Sequence, residues 1–287
     1  MAVLNKALNF LIAVVNAILL IFNVSAANSA TPEIDLENDY KLVWNDEFTG
    51  NTLDSAKWHQ QNNEGVRKGG YWTMEMASVD GENLIIKTEY KEDGKFGPGW
   101  YTAGICTQDK YERKYGYYEC RCKLAQGQGL WSAFWLTNSN VTNLTTGNAK
   151  QGAEIDVFES PFWLLGGTMK NKITSNIHYN GYELLTRYGN VGIFQLDNDP
   201  YENFNTYGVE WTEDEYIFYI NGHEVGRSSF GGVSEEKEYM ILSCEVDGAD
   251  HEPSFGWSGN IEYNSEGRDF ESQFIVDYVR VYEPIAE

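Results

Sequence analysis

Three acidic residues share one apolar run: Gly152-Ala153-Glu154-Ile155-Asp156-Val157-Phe158-Glu159-Ser160. In a regular strand, side chains alternate between faces, so Glu154 and Asp156 project to one side and Ile155 and Val157 to the other. Strict alternation puts Glu159, five residues from Glu154, on the wrong side. One extra residue in a β-bulge around Val157-Phe158 returns it to the Glu154 face. Three carboxyls on one face repel one another and drive at least one to hold its proton. Cleaving a glycoside with retention needs that inequality: an ionised carboxylate as nucleophile and a protonated carboxyl as general acid. Four pleat steps of about 3.3 Å set the two Glu backbones roughly 13 Å apart. Side chains leaning inward narrow that toward the ~5–5.5 Å of a retaining pair. Asp156 stands between them. Phe158, Phe162 and Trp163 supply the desolvation that keeps Glu159 protonated near neutral pH. The plainer reading is a solvated acidic strand, because 43 residues of the 287 are Asp or Glu.

The elements around this run read as strands. Short β-branched and aromatic stretches recur, separated by Gly, Asn and Asp: Leu42–Trp44, Asn83–Thr88, Gly116–Leu124, Glu154–Phe158, Ser175–Tyr179, Tyr216–Ile220, Tyr239–Ser243 and Phe274–Tyr282. Asn221-Gly222 between Tyr216–Ile220 and Glu224–Arg227 is a hairpin signal. After the first 30 residues no amphipathic helical window stands out, so the fold expected is an all-β sandwich or jelly roll. No repeat or Pro/Ser-rich linker interrupts residues 31–287, which read as a single domain. Thr137–Lys150 reads as a polar loop.

Residues 1–30 carry one charge, Lys6, and an apolar stretch from Ala7 to Phe22 followed by Val24-Ser25-Ala26. This is the pattern of a signal peptide cleaved near Ala26, and so of a secreted protein. A retained membrane anchor is the other reading, which Asn9 and Asn16 weaken. With 21 Lys plus Arg, the formal charge is −22. That argues against nucleic acid, polyanionic substrates and anionic membrane surfaces as partners. The 9 Trp, 19 Tyr and 14 Phe supply both a sandwich core and rings to spare for stacking. Four cysteines, Cys106, Cys120, Cys122 and Cys244, allow three pairings. Cys120 and Cys122 share a face, so Cys106 is a better partner for either than they are for each other. Small buried thiols are the plain alternative, and the C-x-C spacing is a weak metal signal. Asn140-Val141-Thr142 and Asn143-Leu144-Thr145 are glycosylation sequons if the host is a eukaryote.

The run E-I-D-V-F-E at 154–159 resembles the active-site signature of glycoside hydrolase family 16 in its bulged E-x-D-x-x-E form. The flanking chain agrees. Leu42-Val43-Trp44-Asn45-Asp46-Glu47-Phe48-Thr49-Gly50, then Leu53-Asp54 and Lys57-Trp58, resembles the family's opening strand. Tyr115–Lys123 and Gly129–Leu136 resemble the stretch before the catalytic strand. Thr206–Trp211, Ile217–Gly222 and Val276–Tyr282 resemble the later strands. The resemblance implies a two-sheet jelly roll of the concanavalin A-like lectin/glucanase type, with a sugar cleft on one face. It implies Glu154 as nucleophile, Asp156 as assisting carboxylate and Glu159 as acid/base. It sets Trp131 and Trp135 along the cleft and His178 near the acids, with Tyr71, Trp72 and Trp163 as further cleft candidates. Either Trp131 or Trp135 could be core instead, and a lone strand His is usually structural. Many members hold a structural Ca²⁺; Glu47 and Asp277, with the Gly81 carbonyl, match those positions, the alternative being a surface acid pair. Catalysis needs no cofactor.

One departure concerns specificity: Ile105 stands where laminarin-cleaving relatives often carry Arg. The function expected is a secreted, monomeric endo-β-glucanase acting on neutral β-1,3- or mixed β-1,3/1,4-glucan with retention. An agarase- or porphyranase-like galactan hydrolase is the second reading, for which Arg67 and Lys68 would have to reverse the local field. A non-catalytic β-glucan-binding protein is the third, against which stands the presence of all three acids.

Overall fold

The computed structural model describes residues 24–27, 31–141, 148–161, 163–164, 167–181, 186–248 and 257–285, with backbone alone at 24, 26, 163, 164, 167 and 168. Most of the expected leader lies outside these residues, as do parts of the 137–150 loop and both sequon threonines. The β-branched and aromatic runs form strands, and the helix among the described residues is three single 3-10 turns.

The strands make two large sheets. Sheet I runs, edge to edge, through Val24–Ala26, Arg187–Gln195, Lys172–Tyr179, Glu154–Pro161, Leu130–Thr137, Glu238–Val246, Gly104–Cys106 and His59–Gln60. Sheet II runs through His223–Ser228, Tyr216–Ile220, Asn205–Trp211, Gly116–Lys123, Glu271–Pro284, Leu84–Lys91, Gly99–Thr102, Gly70–Trp72 and Gly65–Arg67. Tyr40–Asp46 also pairs with Glu271–Pro284. Strands far apart in sequence lie side by side, as jelly-roll connectivity requires.

The two sheets meet through the side chains that alternate inward. Phe158 of sheet I packs against Tyr207 (ring centroids 4.4 Å) and Phe274 (6.2 Å) of sheet II. Leu84, Ile86, Phe134, Leu136, Ile155, Ile177 and Val279 join the same fully buried core. Burying each such side chain is worth roughly 1.5–3 kcal/mol. This inner face leaves the other face of sheet I for chemistry. The Asn221-Gly222 turn forms as expected, with φ of +51° and +79° at its two residues. Both are the left-handed values that a two-residue hairpin turn demands.

Two expectations are corrected. All four cysteines are free and buried. Cys106 lies in sheet I, beside the His59 ring (Sγ–Nε2 3.5 Å), whereas Cys120 and Cys122 lie in sheet II facing the core, so the two positions are not hairpin neighbours. Ile105 is also fully buried in the core. The alternation of its strand turns Gly104 and Cys106 toward the open face instead, so an Arg-to-Ile exchange at 105 says nothing about the cleft. Val24–Ala26 pairs in parallel with Ile193–Gln195 as the edge of sheet I.

Candidate active site

The acidic strand sits in the middle of sheet I, between Leu130–Thr137 and Lys172–Tyr179. On one side Trp135 is opposite Asp156, but Phe134 is opposite Phe158. On the other side Asn176 is opposite Asp156, but Thr174 is opposite Glu159. Both registers slip by one residue between Asp156 and Glu159, which is the bulge expected at Val157-Phe158. The freed Val157 carbonyl accepts the Ser175 hydroxyl at 2.7 Å, so the bulge leaves no orphaned backbone acceptor there. Glu154, Asp156 and Glu159 therefore share the open face.

Pairing across the sheet assembles their surroundings. His178 is opposite Glu154, and its Nε2 lies 3.2 Å from Asp156 Oδ2 and 3.9 Å from Glu154 Oε1. Ligand atoms of these three side chains lie within 4.8 Å of one another, a set able to receive a metal ion. Burial, then the charge of Glu154, pushes the Asp156 carboxyl well above its ordinary value. Burial likewise pushes Glu159 well up, with the charges of Asp156 and Glu154 adding; His178 and a hydrogen bond from Asn176 oppose. The carboxyls are unequal, as acid–base chemistry on one strand requires.

The candidate sugar-binding rings divide. Trp135 is half-buried on the open face beside the acids, its indole N–H donating to Ser243 Oγ at 3.1 Å. Trp131 shares that face but is largely covered: Trp257 meets it edge-on at 5.1 Å and the Lys68 ammonium lies 5.5 Å from its ring. Trp72 is 2% exposed. It lies across Gly104, where any Cβ would stand 2.7 Å from the indole, and the Arg67 guanidinium covers its ring at 4.7 Å. Tyr71 is a core residue packed against Tyr101 (4.9 Å) and Phe96 (5.6 Å). Neither Tyr71 nor Trp72 offers a free stacking face, because each ring is already packed on its neighbours. The side chain of Trp163 lies outside the described residues.

The calcium set does not fit its residues as they stand. Glu47 is held by two Arg280 nitrogens, Nε and Nη2 (2.9 and 2.8 Å), which lowers its proton affinity, and Asp277 is paired with Arg121. Gly81 occupies the tight turn before Leu84–Lys91 at φ +101°. Two carboxylates neutralised by guanidinium groups are poor donors to a dication.

Three polar residues of the site escaped the sequence reading: Asn176, Tyr188 and Asn190. Tyr188 lies opposite His178 and Asn190 opposite Asn176. Asn176 was within reach, because it precedes His178 by two and must share its face.

A β-sandwich presenting unequal carboxyls from one bulged central strand defines a jelly-roll glycosidase. The chain belongs to glycoside hydrolase family 16: the family model for the "Beta-porphyranase A-D, GH16 domain" matches residues 42–284. It is 26% identical over 272 residues to the glucan endo-1,3-beta-glucosidase A1 of Niallia circulans, a match covering 84% of this chain. The chain spans only 37% of that relative's length. It is 28% identical over 302 residues to the kappa-carrageenase of Pseudoalteromonas carrageenovora, covering 93% of this chain and 70% of that one. Among solved structures, the laminarinase catalytic domain of Thermotoga maritima MSB8 superposes with a TM-score of 0.67 at 25% identity, over 87% of this chain and 100% of that one.

Proposed function

We propose that this protein is a secreted endo-β-glycanase that cleaves β-1,3- or mixed β-1,3/1,4-glucan with retention. The observation that carries the reading is the bulge that turns Glu154, Asp156 and Glu159 onto one face. Glu154 attacks the anomeric carbon while the Glu159 proton passes to the leaving oxygen as the glycosidic bond breaks. Water then attacks the same carbon, gives its proton to Glu159 and releases Glu154. Asp156 stands beside Glu154 on the same face, its carboxyl pushed up by burial and by the charge of Glu154, and His178 borders both. Trp135 supplies an apolar ring to a sugar face next to the acids.

The test is reducing-end release from laminarin, barley β-glucan, agarose and porphyran by the wild type, Glu154→Ala and Glu159→Ala. Losses of about 10²–10⁴-fold are expected on the cleaved substrate. Unchanged activity in either variant sinks the assignment, and glucan binding without any product supports the non-catalytic alternative. The anomeric configuration of the first product, read by NMR, decides retention.

A second reading, a galactan hydrolase, is favoured by the matched porphyranase model and by one local feature. Arg67, ion-paired with Glu245 at 2.6 Å, and Lys68 set two cations beside Trp72 and Trp131 on the open face of a chain of charge −22. Cleavage of porphyran but not laminarin would establish that reading.

A further inference from the structure

The side chain of Asn176 is 1% exposed and lies among donors and acceptors that fix which way its amide points. The chain of contacts begins one strand away, at Asn190. Asn190 Nδ2 approaches the backbone carbonyls of Ser175 (3.3 Å) and Gly192 (3.4 Å), which only accept, so that atom is the amide nitrogen. The same Nδ2 donates to Asn176 Oδ1 at 2.8 Å, so the Asn176 atom facing it is the carbonyl oxygen. Tyr188 Oη (2.8 Å) and Thr174 Oγ1 (3.3 Å) also donate to that oxygen. With Oδ1 taken by three donors, the Asn176 N–H points the other way, to Glu159 Oε2 at 2.6 Å.

We propose, resting on the assignment of Glu159 as acid/base, that Asn176 is a positioning residue. Its locked amide ties down Oε2 of Glu159 and leaves Oε1 to protonate the leaving oxygen and then to take the proton from water. The groups facing Glu159 are Asp156 and Glu154 on its own strand, His178 on the next and Tyr188 one further; Ala133, opposite it on the other side, brings no charge. Burial and the two acids favour the protonated form that the first step needs. The Asn176 N–H favours the ionised form that the second step needs. Tyr188 and Asn190 act at one remove, by preventing the amide from turning its oxygen toward the carboxylate.

The test uses Asn176→Ala, Asn176→Asp and Tyr188→Phe. Glu159 titration is followed by ¹³C NMR of protein labelled at glutamate Cδ, its signal identified by loss in Glu159→Gln. In Asn176→Ala, Glu159 is expected to titrate about one pH unit higher, because a hydrogen bond to its ionised form is gone. The basic limb of the kcat/KM profile should move with it. Asn176→Asp, nearly isosteric, should move it up further by adding a like charge, and Tyr188→Phe should move it the same way by less. If Asn176→Ala fails to fold, the other two variants carry the test. An unchanged Glu159 titration in folded variants overturns the proposal. A wild type inactive on the whole polysaccharide panel overturns the functional reading instead, and the NMR titration still decides the Asn176 contact.

Discussion

Glu238 takes no part in the cleavage chemistry, yet it is buried at the start of Glu238–Val246, one strand beyond the neighbour of the nucleophile's strand in sheet I. Its Oε1 accepts the backbone N–H of Ala153, the residue before Glu154, at 3.1 Å. Burial pushes this carboxyl up to about 8, the charge of Glu154 adding and hydrogen bonds from Ser234 and Ala153 opposing. The folded group therefore holds its proton between its ordinary value near 4.5 and about 8, where an unfolded one has lost it. Folding in that window takes up a proton, so the contribution is intact below about 4.5 and stability falls as pH rises toward 8. Glu238→Gln keeps the acceptor and removes the charge. Urea midpoints should show the variant gaining on the wild type from pH 5 to 8, by a few kcal/mol at about 1.4 kcal/mol per pKa unit. A constant difference across that range would refute the account. Trp135 yields a kinetic expectation. Trp135→Ala should raise KM on the cleaved polysaccharide about tenfold or more by removing an apolar sugar platform, and it should also slow turnover if the ring orients the reacting sugar.

At the scale of elements, the bulge is the decisive feature. Deleting Val157 would shorten the acid spacing from five to four, so a strictly alternating strand would keep Glu159 on the face of Glu154 and Asp156 and leave Phe158 on the core side with Ile155. The expected outcome is measurable hydrolysis retained, with stability lowered by the lost packing of buried Val157, followed by product chromatography and thermal melting. A shortened chain that folded but cleaved nothing would refute the view that the bulge serves only to bring the three acids to one face. The hairpin at Asn221-Gly222 is a control of opposite character. Gly222→Ala, at φ +79°, should cost about 1 kcal/mol in urea unfolding and leave kcat/KM untouched, because that turn joins strands of sheet II, away from the acids. The bulge was legible in advance because the acid spacing of five violates the strand period and only an inserted residue mends it. The strand at Gly104 was not, because a one-residue error in placing a short strand reverses every face it presents.

For the whole molecule, the charge of −22 becomes a means of separating the two substrate readings. A neutral glucan feels little of it, so kcat/KM on laminarin or barley glucan should change little between 20 and 300 mM salt. On a sulfated galactan the outcome depends on which field prevails. If the net charge dominates, activity rises as salt screens repulsion; if Arg67 and Lys68 dominate, it falls. Initial rates across that salt range on both substrates distinguish the cases.

The amino-acid sequence alone determined the sandwich class, the open face of the catalytic strand and the three acids on it. These follow from alternation with a period of two, a local rule that neighbouring residues obey. The Asn-Gly hairpin followed in the same way, from the φ values such a turn requires. Tertiary structure alone decided what each ring and charge touches. Trp72 and Tyr71 were eligible for a cleft by type, but contacts from strands distant in the chain cover them. Glu47 and Asp277 were eligible for calcium by type, but arginines of the same sheet hold them. The Asn190–Asn176–Glu159 chain crosses three strands. No local period encodes it, because sheet register is set by the packing of the whole core.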